Sequence, residues 1–299
     1  MAISIGNAPC SWGVEFADDP RNPPWQQVLD EAKAAGYHGI ELGPIGYLPE
    51  DPAVLGDALQ SRDLELIAGV LFQPLHDPNA WDTVLDAAHR TGRSLKAHGA
   101  EHFVIIDSIA EFRVPTAGRP DEARRLTEDE WRGMVGRLTE VSRIARDEYG
   151  LIPSIHAHTA GCIEFRDEID RVLDEIDEDL LKLCIDTGHC VYAGYDPVEH
   201  FRVNRDRTPY LHFKDIHEGV KADAIANRTG FYDATAQGIF CTLGDGLVDF
   251  AALKHALEEL GYDGWGTVEQ DCDPAAGNPV VEDASANATF LKSVGISVQ

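Results

Sequence analysis

Nowhere in this chain of 299 residues do about 18 apolar residues run uninterrupted, the length a membrane helix needs. A helical span is therefore excluded, and no membrane partner is expected. The start, Met1-Ala2-Ile3-Ser4-Ile5-Gly6-Asn7, has neither the basic residues nor the apolar core of a secretion signal. It reads as a first strand, and the cytoplasm is the expected compartment. Paired cysteines are missing as well. The six present, Cys10, Cys162, Cys184, Cys190, Cys241 and Cys272, include no Cys-x-x-Cys, which excludes a zinc-finger spacing and a disulfide scaffold. Basic residues are scarce: 25 Lys and Arg face 52 Asp and Glu, a formal net charge of −27. Such a surface repels a phosphate backbone, so no nucleic-acid partner is expected.

Apolar residues make up 43% of the chain, enough for one large core, and a single domain over residues 1–299 is expected. Short apolar runs alternate with helical periodicity. Strands are expected at Ile3–Ala8, Gly39–Leu42, Leu64–Leu71, His102–Ile106, Ile152–Ala157, Leu181–Ile185, Tyr210–Phe213 and Gly266–Glu269. Helices are expected at Trp25–Ala35, Pro52–Ser61, Asp82–His98, Glu128–Tyr149, Glu164–Leu173, Pro197–Phe201, Phe250–Leu260 and Asp283–Ser293. Eight of each in alternation predict an α/β fold, a (β/α)8 TIM barrel. A doubly wound open sheet is the competing architecture, but no Gly-x-Gly-x-x-Gly follows an early strand. Longer insertions at 107–127 and 216–248 follow two of the strands and should wall or cover the catalytic rim.

Four of the runs end in residues that a divalent metal accepts. They are Ser154-Ile155-His156-Ala157-His158, Leu183-Cys184-Ile185-Asp186-Thr187-Gly188-His189, Tyr210-Leu211-His212-Phe213-Lys214-Asp215 and Gly266-Thr267-Val268-Glu269-Gln270-Asp271. Alternate residues share a strand face, which pairs His156 with His158, His212 with Lys214, and Glu269 with Asp271. Polar groups facing an apolar barrel are costly unless paired or ligating. Thr187-Gly188-His189 reads as a tight turn returning His189 to the same pocket, with capping of a following helix the other use for Asp186. Oxygen and nitrogen donors suit Mn²⁺, Mg²⁺, Co²⁺ or Zn²⁺. An ion held there would polarise a carbonyl and stabilise the enediolate left when the adjacent proton is removed.

At these residues the chain resembles the xylose-isomerase-like barrels and, within them, the inosose dehydratases, which dehydrate 2-keto-myo-inositol. The likeness rests on Gly6-Asn7-Ala8-Pro9, Gly39-Ile40-Glu41-Leu42-Gly43, His156-Ala157-His158-Thr159-Ala160-Gly161-Cys162-Ile163-Glu164, Asp186-Thr187-Gly188-His189, His212-Phe213-Lys214-Asp215 and Gly264-Trp265…Glu269. It spans nearly the whole chain. The first rim loop, Cys10-Ser11-Trp12-Gly13-Val14-Glu15-Phe16, departs from the family's more polar version.

The resemblance implies one metal, Mn²⁺ first among the divalent ions, held by Glu164, Asp186, His212 and Glu269. Glu164, the nearest carboxylate after strand five, is preferred there to His156. It implies catalytic roles for His158, His189, Lys214 and Glu269, and substrate contacts at Trp12, Glu41, His156 and Asp271. His158 or Glu269 would take the proton next to the carbonyl; Lys214 or His189 would protonate the departing hydroxyl. The expected enzyme is a metal-dependent hydro-lyase acting on a keto-polyol such as 2-keto-myo-inositol. A keto-sugar isomerase or epimerase with the same metal site is the alternative, and a non-catalytic sugar-binding barrel a third reading. Few basic residues in the rim loops point to an uncharged substrate. Relatives often pair, so a homo-oligomer is compatible with the resemblance.

Overall fold

The computed structural model describes residues 3–273 and 280–296. Eight parallel strands close into a barrel: β1 (Ile3–Asn7), β2 (Gly39–Glu41), β3 (Glu65–Gln73), β4 (His102–Asp107), β5 (Ile152–Ile155), β6 (Lys182–Asp186), β7 (Tyr210–Phe213) and, last in the chain, Gly264–Val268. That last strand pairs with β1 on one side and β7 on the other, which closes the ring. Strands buried on both faces read as continuous apolar runs, and β4, His102-Phe103-Val104-Ile105-Ile106-Asp107, is buried at every position.

Each of the eight expected strands is present, most with an end displaced by one or two residues. The register between β2 and β3 shifts at Ile40 and Glu41, an irregularity of the kind that re-aims a side chain. Two glycines make room inside: a Cβ on Gly6 or Gly39 would stand 2.3 or 2.7 Å from side-chain carbons of Ile67. Outside the barrel, helices such as Trp81–His98 and Glu128–Arg143 bury one face against the strands. Thr127 and Glu130 form the expected capping box. The segment expected as one helix to Tyr149 widens instead into a π turn at Ile144–Glu148.

The insertion after β7 differs most from expectation. It folds into β8 (Asp215–Ile216), a helix at Glu218–Asn227, a second at Phe231–Ala236, and β9 (Phe240–Cys241), which pairs antiparallel with β8. The closing barrel strand is therefore β10. These pieces share a small core of their own, in which Phe231, Ile239 and Phe240 pack with Tyr192 and Ala117. Asp215 ties the insertion to the barrel. Its buried carboxylate accepts four backbone N–H groups, from Ile216, Gly244, Gly246 and Val248, at 2.9–3.0 Å.

Candidate metal centre

The ends of β5, β6, β7 and β10 bring His156, Asp186, His212 and Glu269 together, with one donor atom of each within 4.8 Å of the others. His156 Nε2 lies 3.4 Å from Asp186 Oδ2, and His212 Nδ1 lies 3.3 Å from Glu269 Oε2. All four residues are buried. Asp186 Oδ2 and His212 Nδ1 have no hydrogen-bond partner within the chain. Buried polar atoms are seldom left so, and a divalent cation among two imidazoles and two carboxylates would engage both.

The supporting groups fix which atoms face inward. Asp186 divides its carboxylate: Oδ1 accepts the His189 N–H at 2.8 Å and caps the helix Thr187–Ala193, while Oδ2 faces the donors. The capping use foreseen for it is thus observed. His212 gives its Nε2 hydrogen to Glu41 Oε1 at 3.0 Å, which turns the Nδ1 lone pair towards Glu269 and Asp186. Tyr210 donates to the same Glu41 oxygen at 2.8 Å.

Lys214 stands beside the four. Its Nζ lies 2.7 Å from Asp271 Oδ2, 3.0 Å from Glu269 Oε2 and 3.7 Å from Asp186 Oδ2. Burial alone would pull the ammonium down, but the three carboxylates outweigh it and hold its pKa well above the usual lysine range. Burial would raise Glu269, yet His212 and Lys214 hold it well below the usual carboxylate range; Lys214 and His156 hold Asp186 low in the same way. Thr187-Gly188 explains how the lysine is seated. The Thr187 hydroxyl donates to the Lys214 carbonyl at 2.6 Å and accepts its N–H at 2.9 Å. A Cβ on Gly188 would stand 2.7 Å from Lys214 Cγ.

A cavity of about 740 Å³ opens above, lined at its floor by Glu41, His156, His158, Lys214, Glu269 and Asp271. His158 donates Nδ1–H to the Thr159 carbonyl at 2.9 Å, which leaves Nε2 as its basic atom. Burial, reinforced by His156 and Lys214, pushes the imidazole down to about 3, so it is neutral at ordinary pH.

This arrangement can be set against known proteins. A family profile described as xylose isomerase-like TIM barrel matches residues 29–294. The chain belongs to that family. An inosose dehydratase from Lacticaseibacillus casei is 31% identical over 281 residues, 93% of this chain and 93% of that protein. Another, from Geobacillus kaustophilus strain HTA426, is 31% identical over 288 residues, covering 92% and 89%. Among solved structures, the IOLI protein with a bound zinc atom superposes with a TM-score of 0.74 at 16% identity, covering 99% of this chain and all of that one. This xylose isomerase-like barrel is an enzyme, similar over nearly its whole length to inosose dehydratases.

Of the residues expected at the site, three fall elsewhere. Glu164 stands outside the four donors: its Oε1 accepts the Gly118 N–H at 2.7 Å and its Oε2 pairs with Arg113 at 3.3 Å. His156 occupies its place, because it directly follows β5 whereas Glu164 lies beyond the Thr159–Cys162 turn. Trp12 is buried with its indole N–H on Glu31 Oε2 at 2.7 Å, so it packs under helix Trp25–Ala34 and does not line the cavity. His189 lies behind His158, ring centroids 4.1 Å apart, with Nδ1 tied to the Thr159 N–H at 3.1 Å; it does not line the cavity either. Glu41 lines the cavity, but its Oε1 is engaged by His212 and Tyr210.

Sequence reasoning passed over Glu15 and Tyr232, which meet at the mouth, Tyr232 Oη donating to Glu15 Oε1 at 3.2 Å. Burial, with Asp271 adding to it, raises the Glu15 carboxyl to about 7. The signal was the rim loop's departure from the family pattern, seen without a partner to assign it.

Proposed function

We propose that this enzyme dehydrates an uncharged keto-polyol, 2-keto-myo-inositol or a close relative, with a divalent ion held by His156, Asp186, His212 and Glu269. The observation that carries the reading is the convergence of four donors with unpartnered buried atoms on the floor of a cavity that also presents a neutral imidazole and a protonated lysine. The kinship with inosose dehydratases supports it. Mn²⁺, Co²⁺, Mg²⁺ and Zn²⁺ all suit two imidazoles and two carboxylates, and Mn²⁺ is our first choice. When bound, such an ion supplies Lewis-acid polarisation of the substrate carbonyl.

The chain's own groups would handle the protons. His158 Nε2 accepts the proton from the carbon next to the carbonyl. Lys214, kept protonated by its three carboxylates, gives a proton to the β-hydroxyl as the C–O bond breaks, and water leaves. Asp271 orients the ammonium and is positioned to contact the hydroxyls of the substrate. Glu269, counted among the donors, leaves the base role to His158.

The decisive test is ultraviolet absorbance after mixing metal-loaded protein with 2-keto-myo-inositol, against an EDTA-treated control. A metal-dependent band of a conjugated product is expected. Stoichiometric metal without a band would point instead to epimerisation or isomerisation, which returns the proton and expels nothing. The Glu41 hydrogen bond gives a second expectation. Glu41→Gln should weaken metal binding about 10–100-fold, measured by competition with a chelator, because a histidine ligand loses the partner that fixes its tautomer. Unchanged affinity would show that Glu41 does not position His212.

A further inference from the structure

The cavity is larger than the proposed chemistry at its floor requires, and its two zones differ in character. A keto-polyol of about twelve non-hydrogen atoms fills only part of a space that falls within the roughly 300–1,000 Å³ typical for drug-sized ligands. The observed volume is about 740 Å³. Its floor is polar, with Phe72 edge-on to His158 at 5.1 Å between ring centroids, while Phe16, Ile109, Val114 and Tyr232 also line it. Among the described residues five large apolar side chains are exposed, and two of them, Phe16 (49%) and Tyr232 (45%), meet at this rim. Their ring centroids are 6.4 Å apart, and the Tyr232–Glu15 hydrogen bond holds the pair across the mouth. Exposed apolar surface gathered at a cavity rim is a mark of ligand contact.

Charge narrows the ligand. Among the described residues, Lys214 is the only Lys or Arg lining the cavity, and it is already shared by Asp271, Glu269 and Asp186. Asp18, Glu111 and Asp233 also line the cavity. A phosphate or carboxylate placed there meets repulsion without a counter-ion.

We propose that the rim around Phe16 and Tyr232 is a subsite for a neutral, partly apolar substituent on the substrate, a glycosidic or O-alkyl group seated against Phe16, Val114 and Tyr232. The proposal rests on the keto-polyol reading of the floor and extends it: the substrate class becomes a substituted keto-polyol or keto-glycoside. Covering roughly one face of a phenyl ring is worth about tenfold in affinity.

The test is calorimetric titration of the metal-loaded full chain with methyl β-D-glucopyranoside, phenyl β-D-glucopyranoside and the 6-phosphate of the methyl glucoside. The phenyl glucoside should bind about tenfold more tightly than the methyl, and the phosphate more weakly than either. The double variant Phe16→Ser/Tyr232→Ser should erase the phenyl preference without lowering the thermal midpoint, since both rings are exposed. Equal binding of the two glucosides, binding of none of them, tighter binding of the phosphate, or a preference that survives the double variant would each overturn the subsite. The dehydratase reading fails on a different measurement, the missing band with 2-keto-myo-inositol, and a phenyl preference without that band removes the reaction while keeping the subsite.

Discussion

Lys214→Met is expected to lower turnover of the keto-polyol about 10²–10⁴-fold, the range for loss of a well-placed acid, while metal affinity rises. The two effects separate because Lys214, the acid of the proposed scheme, is also the counter-ion of the site. Its Nζ sits 3.0 Å from Glu269 and 3.7 Å from Asp186, two of the four donors. A cation that close competes electrostatically with a divalent ion for the same carboxylates. Removing it frees them and increases the net negative charge around the ion. Methionine keeps most of the stem against the Phe240 ring, over which Nζ lies at 4.8 Å from the centroid, so packing is largely preserved. Steady-state rates and a chelator-competition titration on the same preparation read both outcomes. Full turnover in the variant would remove Lys214 from the proton pathway. Loss of turnover together with loss of metal would reduce the lysine to a structural clamp.

The barrel was legible from the sequence because buried parallel strands have little freedom in composition. The runs expected at His102–Ile106 and Leu181–Ile185 have only one place to go, and the strands stand at His102–Asp107 and Lys182–Asp186, within a residue of those bounds. The strand-end logic also served for Asp186, His212 and Glu269, since a carboxylate or imidazole closing an apolar run needs a partner. It failed for the fourth donor by weighing chemical type over position. Glu164 is a carboxylate, but eight residues past His156 it lies on the far side of a turn, bound to Arg113 and Gly118. His156 needed only the strand period to be found.

Trp12 and His189 were misplaced for a related reason: a large or ionisable side chain near the rim can as readily turn towards a helix. Trp12 found Glu31, and His189, carried on the first turn of a helix, found Thr159. The helices inside 216–248 gave a weak pattern because they pack on a separate small core. Glu218–Asn227 buries only Ala224, so it shows almost no apolar stripe. Its start signal was a histidine, His217, whose ring accepts the Val220 N–H at 3.3 Å, an unusual cap.

The misread glutamate belongs to a different device, which the second large effect tests. Arg113 is fully buried, with Nη1 and Nη2 on the two Glu168 oxygens at 2.8 and 3.1 Å and Nη2 on Glu164 at 3.3 Å. Arg125 contacts Glu168 from the outside. Through Gly118 and the Arg124 carbonyl, this network fastens the 107–127 insertion, one wall of the cavity, to the turn after β5. Arg113→Met is expected to cost about 3–5 kcal/mol, because it leaves buried carboxylates without their cation. The penalty should depend on pH. Burial already raises the Glu164 carboxyl to about 7 despite Arg113, so in the native protein this group favours folding below about pH 4.5 and loses that contribution as pH rises towards 7. Without the guanidinium, Glu164 and Glu168 both take up protons more readily when folded. The variant therefore falls further behind the native protein as pH increases, and approaches it as pH falls towards 5. Thermal midpoints at pH 5 and pH 8 measure the difference. A loss of stability equal at both pH values would assign the cost to the cavity left by the side chain, not to the unpaired charges. A small loss at pH 8 would show that the guanidinium is not what holds the wall in place.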